Sequence, residues 1–291
     1  MAETTSLAAP LAQSEPLAAR PAPAPIPALR SGGRARRWGG LTGAGLPVAL
    51  LLLWEVLARA GVLKANLLPA PSKVLATIGE LARTGELWGH LGITLARVGA
   101  GFVLGAALAT VLGAATGYSR RLFQLLDPLL QGVRNIPSLA WVPLFILWMG
   151  IYETSKVVLI AVGVFFPVYL NLMNGVQGVD RKLVEVGRVY RLSGGALVRR
   201  VFLPATLPAY FVGLRSGLGL GWMFVVAAEI MGASKGLGFL LVDGQMTGRP
   251  QTILASILLF AVLGQLTDAA LAALGRRLLR WQDTHGQVNN G

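Results

Sequence analysis

Cysteine is absent from the 291 residues, and histidine occurs only at His90 and His285. The first absence excludes a disulfide framework, a thiolate metal site and a cysteine nucleophile. The second leaves too few imidazoles for a histidine-based metal cluster. Charge is scarce as well: Asp, Glu, Lys and Arg make up 13% of the chain, against about 25% in a soluble domain. The sequence contains no Gly-x-x-x-x-Gly-Lys-Ser/Thr phosphate loop, so nucleotide chemistry must belong to another chain. Nor does it contain a Ser/His/Asp set, a His-Glu-x-x-His motif or paired catalytic carboxylates, which weighs against a membrane-embedded enzyme.

What is present is apolar. Hydrophobic residues account for 54% of the chain and the mean hydropathy is +0.62, which predicts an all-α polytopic membrane protein with about six transmembrane helices. The apolar runs cover residues 41–60, 91–117, 122–149, 155–175, 207–231 and 252–274. The third contains Pro128, Pro137 and Pro143 and is expected to be kinked or split. The second carries Gly99, Gly101, Gly105, Gly113 and Gly117, and its Gly101-x-x-x-Gly105 spacing permits close backbone approach.

Residues 1–40 are rich in Ala and Pro and poor in large apolar side chains, the composition of a disordered tail. Ala58-Arg59-Ala60 could be read as the end of a signal peptide, but the basic cluster Arg30, Arg34, Arg36 and Arg37 lies too far from Met1 for that. With the N-terminus inside, sixteen Lys and Arg fall in the tail, two internal loops and the C-terminus. Only Lys64, Lys73, Arg83, Lys235 and Arg249 fall outside. This bias sets both termini in the cytoplasm. It also explains the net charge of +13 without a nucleic-acid partner. The segments are therefore a tail over 1–40, a transmembrane domain over 41–275 and a C-terminal tail over 276–291.

Within that domain, residues 176–206 form the largest internal loop, VQGVDRKLVEVGRVYRLSGGALVRRVFLPAT. Asp180 is placed to cap a helix. Leu183, Val184, Gly187 and Tyr190 could share one face of it, with Arg181, Lys182, Arg188 and Arg191 polar. Gly194-Gly195 ends the helix, a second short helix carries Val198, Val201 and Phe202, and Pro204 and Pro208 start the next span. Such a helix pair is a docking surface for a soluble partner. Among charged residues within spans, Arg134, Arg215, Glu229 and Glu55 stand out, and such residues are usually functional or paired; Arg215 with Glu229 is one possible pair. Trp88, Trp141, Trp148, Trp222 and Trp281 suit interface anchoring or packing, and His90 suits an interfacial position.

Glu185-Val186-Gly187, with Leu203-Pro204 downstream, resembles the EAA loop of permease subunits of binding-protein-dependent ABC importers. That pattern runs Glu-Ala-Ala, three residues, Gly, nine residues, Ile-x-Leu-Pro. Here Val201 stands for the Ile, and Arg191 occupies the place of the motif glycine. A left-handed backbone costs a non-glycine residue about 1–2 kcal/mol, so the turn is expected to move to Gly194-Gly195. GELWGHLGITLARVGAGF, RNIPSLAWVPLFILWMGI, LVEVGRVYRLSG, LPATLPAYFVGLR and AAEIMGASKGLGFLL are each similar to segments of the sulfonate/nitrate/taurine branch of that family.

The resemblance implies a type I ABC importer permease fold in the bacterial inner membrane and a homodimer bound to cytoplasmic ATP-binding subunits. A periplasmic binding protein would deliver small anions, aliphatic sulfonates first, with nitrate, taurine or another small solute as alternatives. ATP and Mg would be held by the partner, and this chain would bind no cofactor. The coupling loop would use Glu185, Gly187, Arg188, Arg191, Leu192, Ser193, Gly194, Leu203 and Pro204, unless Glu185 only serves a solvated helix face. The translocation path would use Arg134, Asn135, Arg215 and Glu229, and Gly236–Phe239 would shape an external re-entrant turn. A proton-coupled secondary transporter using Glu229 and Glu55 is the mechanistic alternative, although inverted internal repeats are not evident.

Overall fold

The computed structural model describes residues 39–64 and 66–281. The chain divides into two units, residues 1–49 and 50–291. Helix α1 (Gly39–Arg59) begins in the first unit, and all but the last two residues of the expected 1–40 tail lie outside the described residues.

Among the described residues every regular element of the second unit is a helix. It contains α2 (Pro71–Thr84), α3 (Glu86–Tyr118), α4 (Arg120–Asn135), a 3₁₀ turn (Ser138–Trp141), α5 (Val142–Met149) and α6 (Glu153–Gln177). There follow α7 (Arg181–Val189), α8 (Gly194–Leu197), a π-helical turn (Val198–Phe202), α9 (Leu203–Ile230), α10 (Leu237–Met246) and α11 (Pro250–Leu278). Four helical stretches are long and apolar enough to cross a membrane: Glu86–Tyr118, Glu153–Gln177, Gly194–Ile230 and Pro250–Leu278.

Local chemistry sets the boundaries. Pro71 and Pro250 sit in the first turns of α2 and α11, where a missing N–H leaves nothing unpaired. Gly85, with φ 84°, ends α2 and starts α3. The Ser119 hydroxyl accepts from the Leu122 N–H at 3.4 Å and opens α4. The expected break in the third apolar run falls at Ile136, which adopts an extended backbone (φ −73°, ψ 123°) ahead of Pro137. That run is therefore split into α4 and α5.

The core is arranged around α6. Its buried face includes Ile160, Val164, Val168 and Tyr169, and glycines on both neighbours let the backbones close in. On α3, a Cβ at Gly101 would meet Ile160 Cγ2 at 2.5 Å, one at Gly105 would overlap the Ala161 carbonyl oxygen, and one at Gly117 would meet Val176 at 2.7 Å. On α9, Gly213 faces Asn171, Gly217 faces Val168, and Gly221 faces Val164. The close approach expected of Gly101-x-x-x-Gly105 is thus made against α6. These pairings also fix direction: α3 runs parallel to α6, and α9 runs antiparallel to it.

Gly105→Ala should lower the thermal unfolding temperature of the detergent-solubilised protein by an overpacking cost of about 1–3 kcal/mol. Gly99→Ala, on the same helix with open space beyond its Cα, should be neutral or should stabilise by up to about 1 kcal/mol.

Candidate functional site

At one end of the bundle the chain between α6 and α9 folds into a hairpin. Asp180 caps α7, its carboxylate accepting from the Lys182 N–H at 2.9 Å, as the sequence predicts. The turn departs from expectation. Arg191 itself adopts φ 57°, in the left-handed region, so the turn has not moved away from the position of the motif glycine. Its geometry closes the C-terminus of α7: Leu192 N–H donates to the Gly187 carbonyl at 2.9 Å and Arg191 N–H to the Arg188 carbonyl at 2.8 Å. Gly194, the first residue of α8, adds a second positive φ of 51°.

Gly187 is buried where α7 crosses the returning chain. A Cβ there would lie 2.8 Å from Leu197 Cδ1 and 3.2 Å from Val201 Cγ2. A small residue at the third motif position is therefore a packing requirement. The return limb also differs from expectation. In place of a separate short helix followed by a new start at Pro204, helix runs without interruption from Gly194 to Ile230. The π turn absorbs the prolines: Leu203 N–H reaches back to the Val198 carbonyl, and Pro204 falls in the first turn of α9.

The apolar side chains of α7 are left largely uncovered, with Leu183, Val186, Val189 and Tyr190 all exposed. Of the face shared by Leu183, Val184, Gly187 and Tyr190, only Gly187 is buried. Val186, Tyr190, Leu192, Val201, Pro204 and Trp281 border one groove. On the opposite side, exposed Glu185 and Arg188 border a second groove with Tyr118, Arg120, Arg181 and Phe202. Ser193 and Leu203 are also exposed.

The other end of the bundle holds a buried ion network that the sequence reading did not identify. Arg97, 3% exposed, donates to Glu153 through Nε (2.6 Å) and Nη2 (2.7 Å), and through Nη1 to Glu229 (2.7 Å) and the Lys235 carbonyl (2.6 Å). Lys156 adds a 3.3 Å contact to Glu153. The Glu229 side chain is fully enclosed and accepts from the Thr94 hydroxyl and the Gly238 N–H, both at 2.8 Å. The start of α10 is capped from α3: Gly236 N–H donates to His90 Nδ1 and Leu237 N–H to Thr94 Oγ1, both at 3.0 Å. Gly236 and Gly238 have no room for a Cβ beside Glu229, which accounts for the Gly-Leu-Gly segment.

Arg215 does not pair with Glu229. It forms a two-point contact with Asp268 of α11 at 2.9 and 2.7 Å, half-exposed. Arg134 and Asn135 are exposed at the end of α4, whereas Glu229 faces no open surface. Glu55 accepts from Arg59 and from the N–H and hydroxyl of Ser72. Trp222 is a core residue whose Nε1–H donates to Thr267. Among the described residues no three His, Asp or Glu side chains gather into a metal-ligand set. The sequence clue to the buried network was an arginine, Arg97, inside an apolar run, matched by an acid, Glu229, in another.

Two outcomes follow for stability. Arg191→Gly should raise stability by about 1 kcal/mol by relieving the left-handed strain, while Arg191→Ala should not; thermal unfolding of the purified protein distinguishes them. Arg97→Ala leaves the enclosed Glu229 carboxylate without its cation, while the half-exposed Glu153 keeps Lys156, and should cost about 3–5 kcal/mol. Glu229→Gln, which keeps the side-chain shape, should cost less in the same assay.

Residues 101–280 match the family described as the inner membrane component of binding-protein-dependent transport systems. A Bacillus subtilis (strain 168) protein assigned as the aliphatic sulfonates transport permease SsuC is 43% identical over 86% of this chain and 91% of its own length. Its Escherichia coli (strain K12) counterpart is 40% identical over 82% of this chain and 91% of its own. Among solved structures, an inward-facing form of the MetNI methionine ABC transporter superposes with a TM-score of 0.55 at 19% identity, covering 70% of this chain and 97% of that one. At that identity it supports the fold alone, the type I importer permease fold. The chain is a member of the family of binding-protein-dependent transport system inner membrane components.

Proposed function

We propose that the chain is the membrane-spanning subunit of an ATP-driven importer of aliphatic sulfonates in the bacterial inner membrane. The observation that carries the proposal is the hairpin: a helix pair braced at Gly187 and continuous with a span, presenting an uncovered apolar face and an exposed Glu185. The names of the relatives support the substrate class. Cytoplasmic ATP-binding subunits would dock on the hairpin and hold the ATP and Mg, so this chain hydrolyses nothing itself. A periplasmic binding protein would deliver the solute, and a second copy of the chain would complete the path. Arg120, Arg181, Arg188, Arg199 and Arg200 cluster at or near the hairpin end, which favours a cytoplasmic hairpin and cytoplasmic termini.

Glu185 would anchor the loop to a basic group of the ATPase, with Arg188, Leu192 and Ser193 beside it. Gly187, Arg191, Gly194, Leu203 and Pro204 would hold its shape. ATP-driven closure of the partner would then tilt the spans through the continuous Gly194–Ile230 helix. A proton-coupled mechanism finds little support, since Glu229 is enclosed by Arg97 and Thr94 and Glu55 is tied to Ser72.

Uptake of labelled ethanesulfonate, taurine and nitrate by the complete complex in proteoliposomes tests the reading. The expected result is ATP-dependent uptake, with the alkanesulfonate preferred. Glu185→Ala should weaken ATPase association roughly tenfold or more, the worth of one charge-assisted hydrogen bond, while the chain still inserts. Uptake that needs no ATP and follows a proton gradient would overturn the assignment. Preference for taurine or nitrate would shift the substrate within the same family.

A further inference from the structure

We infer that one face of α4, carrying Gln124, Asp127, Gln131, Arg134 and Asn135, lines the water-filled path, so that Asp127 and Gln131 meet the moving solute alongside Arg134. This deepens the reading above and rests on its premise that the chain is a transport subunit.

Topology supplies the first step. Gly101, Gly105, Gly113 and Gly117 of α3 meet α6 in the order Ile160, Ala161, Tyr169, Val176, so the two spans are parallel neighbours. The chain that joins them leaves α3 at the hairpin end and must re-enter α6 at the opposite end. It has to cross a hydrocarbon layer about 30 Å thick. At 1.5 Å per residue, the sixteen residues of α4 and eight of α5 give about 36 Å. Without α4, α5 and the 3₁₀ turn give only about 20 Å, so α4 enters the layer and does not lie along its surface.

Composition supplies the second step. Around α4, Phe123 and Leu130 pack on the core, while Leu122, Leu125 and Leu129 are exposed on an adjoining apolar arc. The remaining arc is polar along its whole length, at positions 124, 127, 131, 134 and 135, spaced three or four apart. Gln124, Gln131, Arg134 and Asn135 are exposed, and Asp127 accepts from Gln131 Nε2 at 2.8 Å. The ion pairs among the described residues include neither Asp127 nor Arg134. Polar and ionised groups at membrane depth face a bundle interior or a water-filled cavity. The helix also breaks at Ile136–Pro137, directly beyond Arg134 and Asn135, and non-helical backbone at this depth likewise requires protein or water around it.

The stripe suits conduction. Arg134 attracts an anionic head at the level of the break. Asp127 lies seven residues, about 10 Å, closer to the hairpin and repels the same head, so the solute is drawn in without being trapped.

The natural absence of cysteine makes the test direct. Single cysteines are placed at Gln124, Gln131 and Asn135, with Leu125 and Leu129 as controls, in the complete complex in membrane vesicles. They are treated with the impermeant methanethiosulfonates carrying a sulfonate or a trimethylammonium group, and labelling is read on this chain by mass. The stripe positions should react, the leucine positions should not, and ATP with vanadate should change the stripe rates. In the Gln131→Cys background, Arg134→Gln should lower the ratio of anionic to cationic rates about fivefold; Asp127→Asn should raise it similarly in the Gln124→Cys background. The inference is overturned if the leucine positions react as fast as the stripe. It is also overturned if the stripe ignores vanadate in vesicles where vanadate stops the complex's ATP hydrolysis, or if neither substitution moves the ratio. A complex with no ATP hydrolysis would sink the importer reading instead, leaving the stripe to the leucine comparison and the charge ratios.

Discussion

Helix α6 touches both of its principal neighbours almost backbone to backbone. Lipid offers no hydrophobic drive for helices to associate, so close van der Waals contact has to supply the cohesion, and glycine is the side chain that permits it. Gly101, Gly105 and Gly117 on one side and Gly213, Gly217 and Gly221 on the other let both neighbours close in, and put Ile160 and Val164 in contact with two helices at once. Because the contact with α3 is parallel, the intervening chain must recross the bundle. Because the contact with α9 is antiparallel, the next connection can be a compact hairpin. The route of the chain through the second unit follows from those two contacts.

The two ends of that arrangement are built from different chemistry. At one end Arg97, Glu153 and Glu229 join α3, α6, α9 and the start of α10 through short, charge-assisted contacts, those to Glu229 fully enclosed. Removing Arg97 there leaves the enclosed Glu229 charge uncompensated. At the other end the hairpin keeps its apolar residues uncovered and its shape in the backbone, with Arg191 held at φ 57° and Gly187 filled against Leu197. One helix connects the two. From Gly194 to Ile230 it runs about 55 Å at 1.5 Å per residue, with the π turn at Val198–Phe202 widening it locally. A push on the hairpin therefore reaches the ion network through a single stiff element, with its softest turn at the junction between loop and span.

Much of this could be read before the fold was known. Apolar runs, the Gly101/Gly105 spacing, the cap at Asp180 and the proline break at Pro137 are local properties: each depends on residues within a turn or two, and each appears where the sequence puts it. The same holds for the motif around Glu185 and Leu203-Pro204, whose spacing survives although its glycine does not. The turn departs from its local propensity, with Arg191 itself at φ 57°. Propensity alone moves it from Arg191 to Gly194-Gly195, but the α7 carbonyls of Gly187 and Arg188 need partners at that point, and satisfying them outweighs the local strain.

The sequence alone determined that this is a helical membrane protein with one long basic loop between two apolar runs, because hydropathy, breakers and caps act over short distances. Only the tertiary structure decided which charges meet. Arg215 and Glu229 are fourteen residues apart on one helix, yet their partners come from elsewhere, Asp268 from α11 and Arg97 from α3. Nothing in a linear pattern records that α3 and α6 run side by side in the same direction, and it is this that turns α4 from an amphipathic segment into a crossing. Pairing and direction arise from contacts between segments far apart in the chain, and the physical reason they were hidden is that such contacts exist only once the helices have packed.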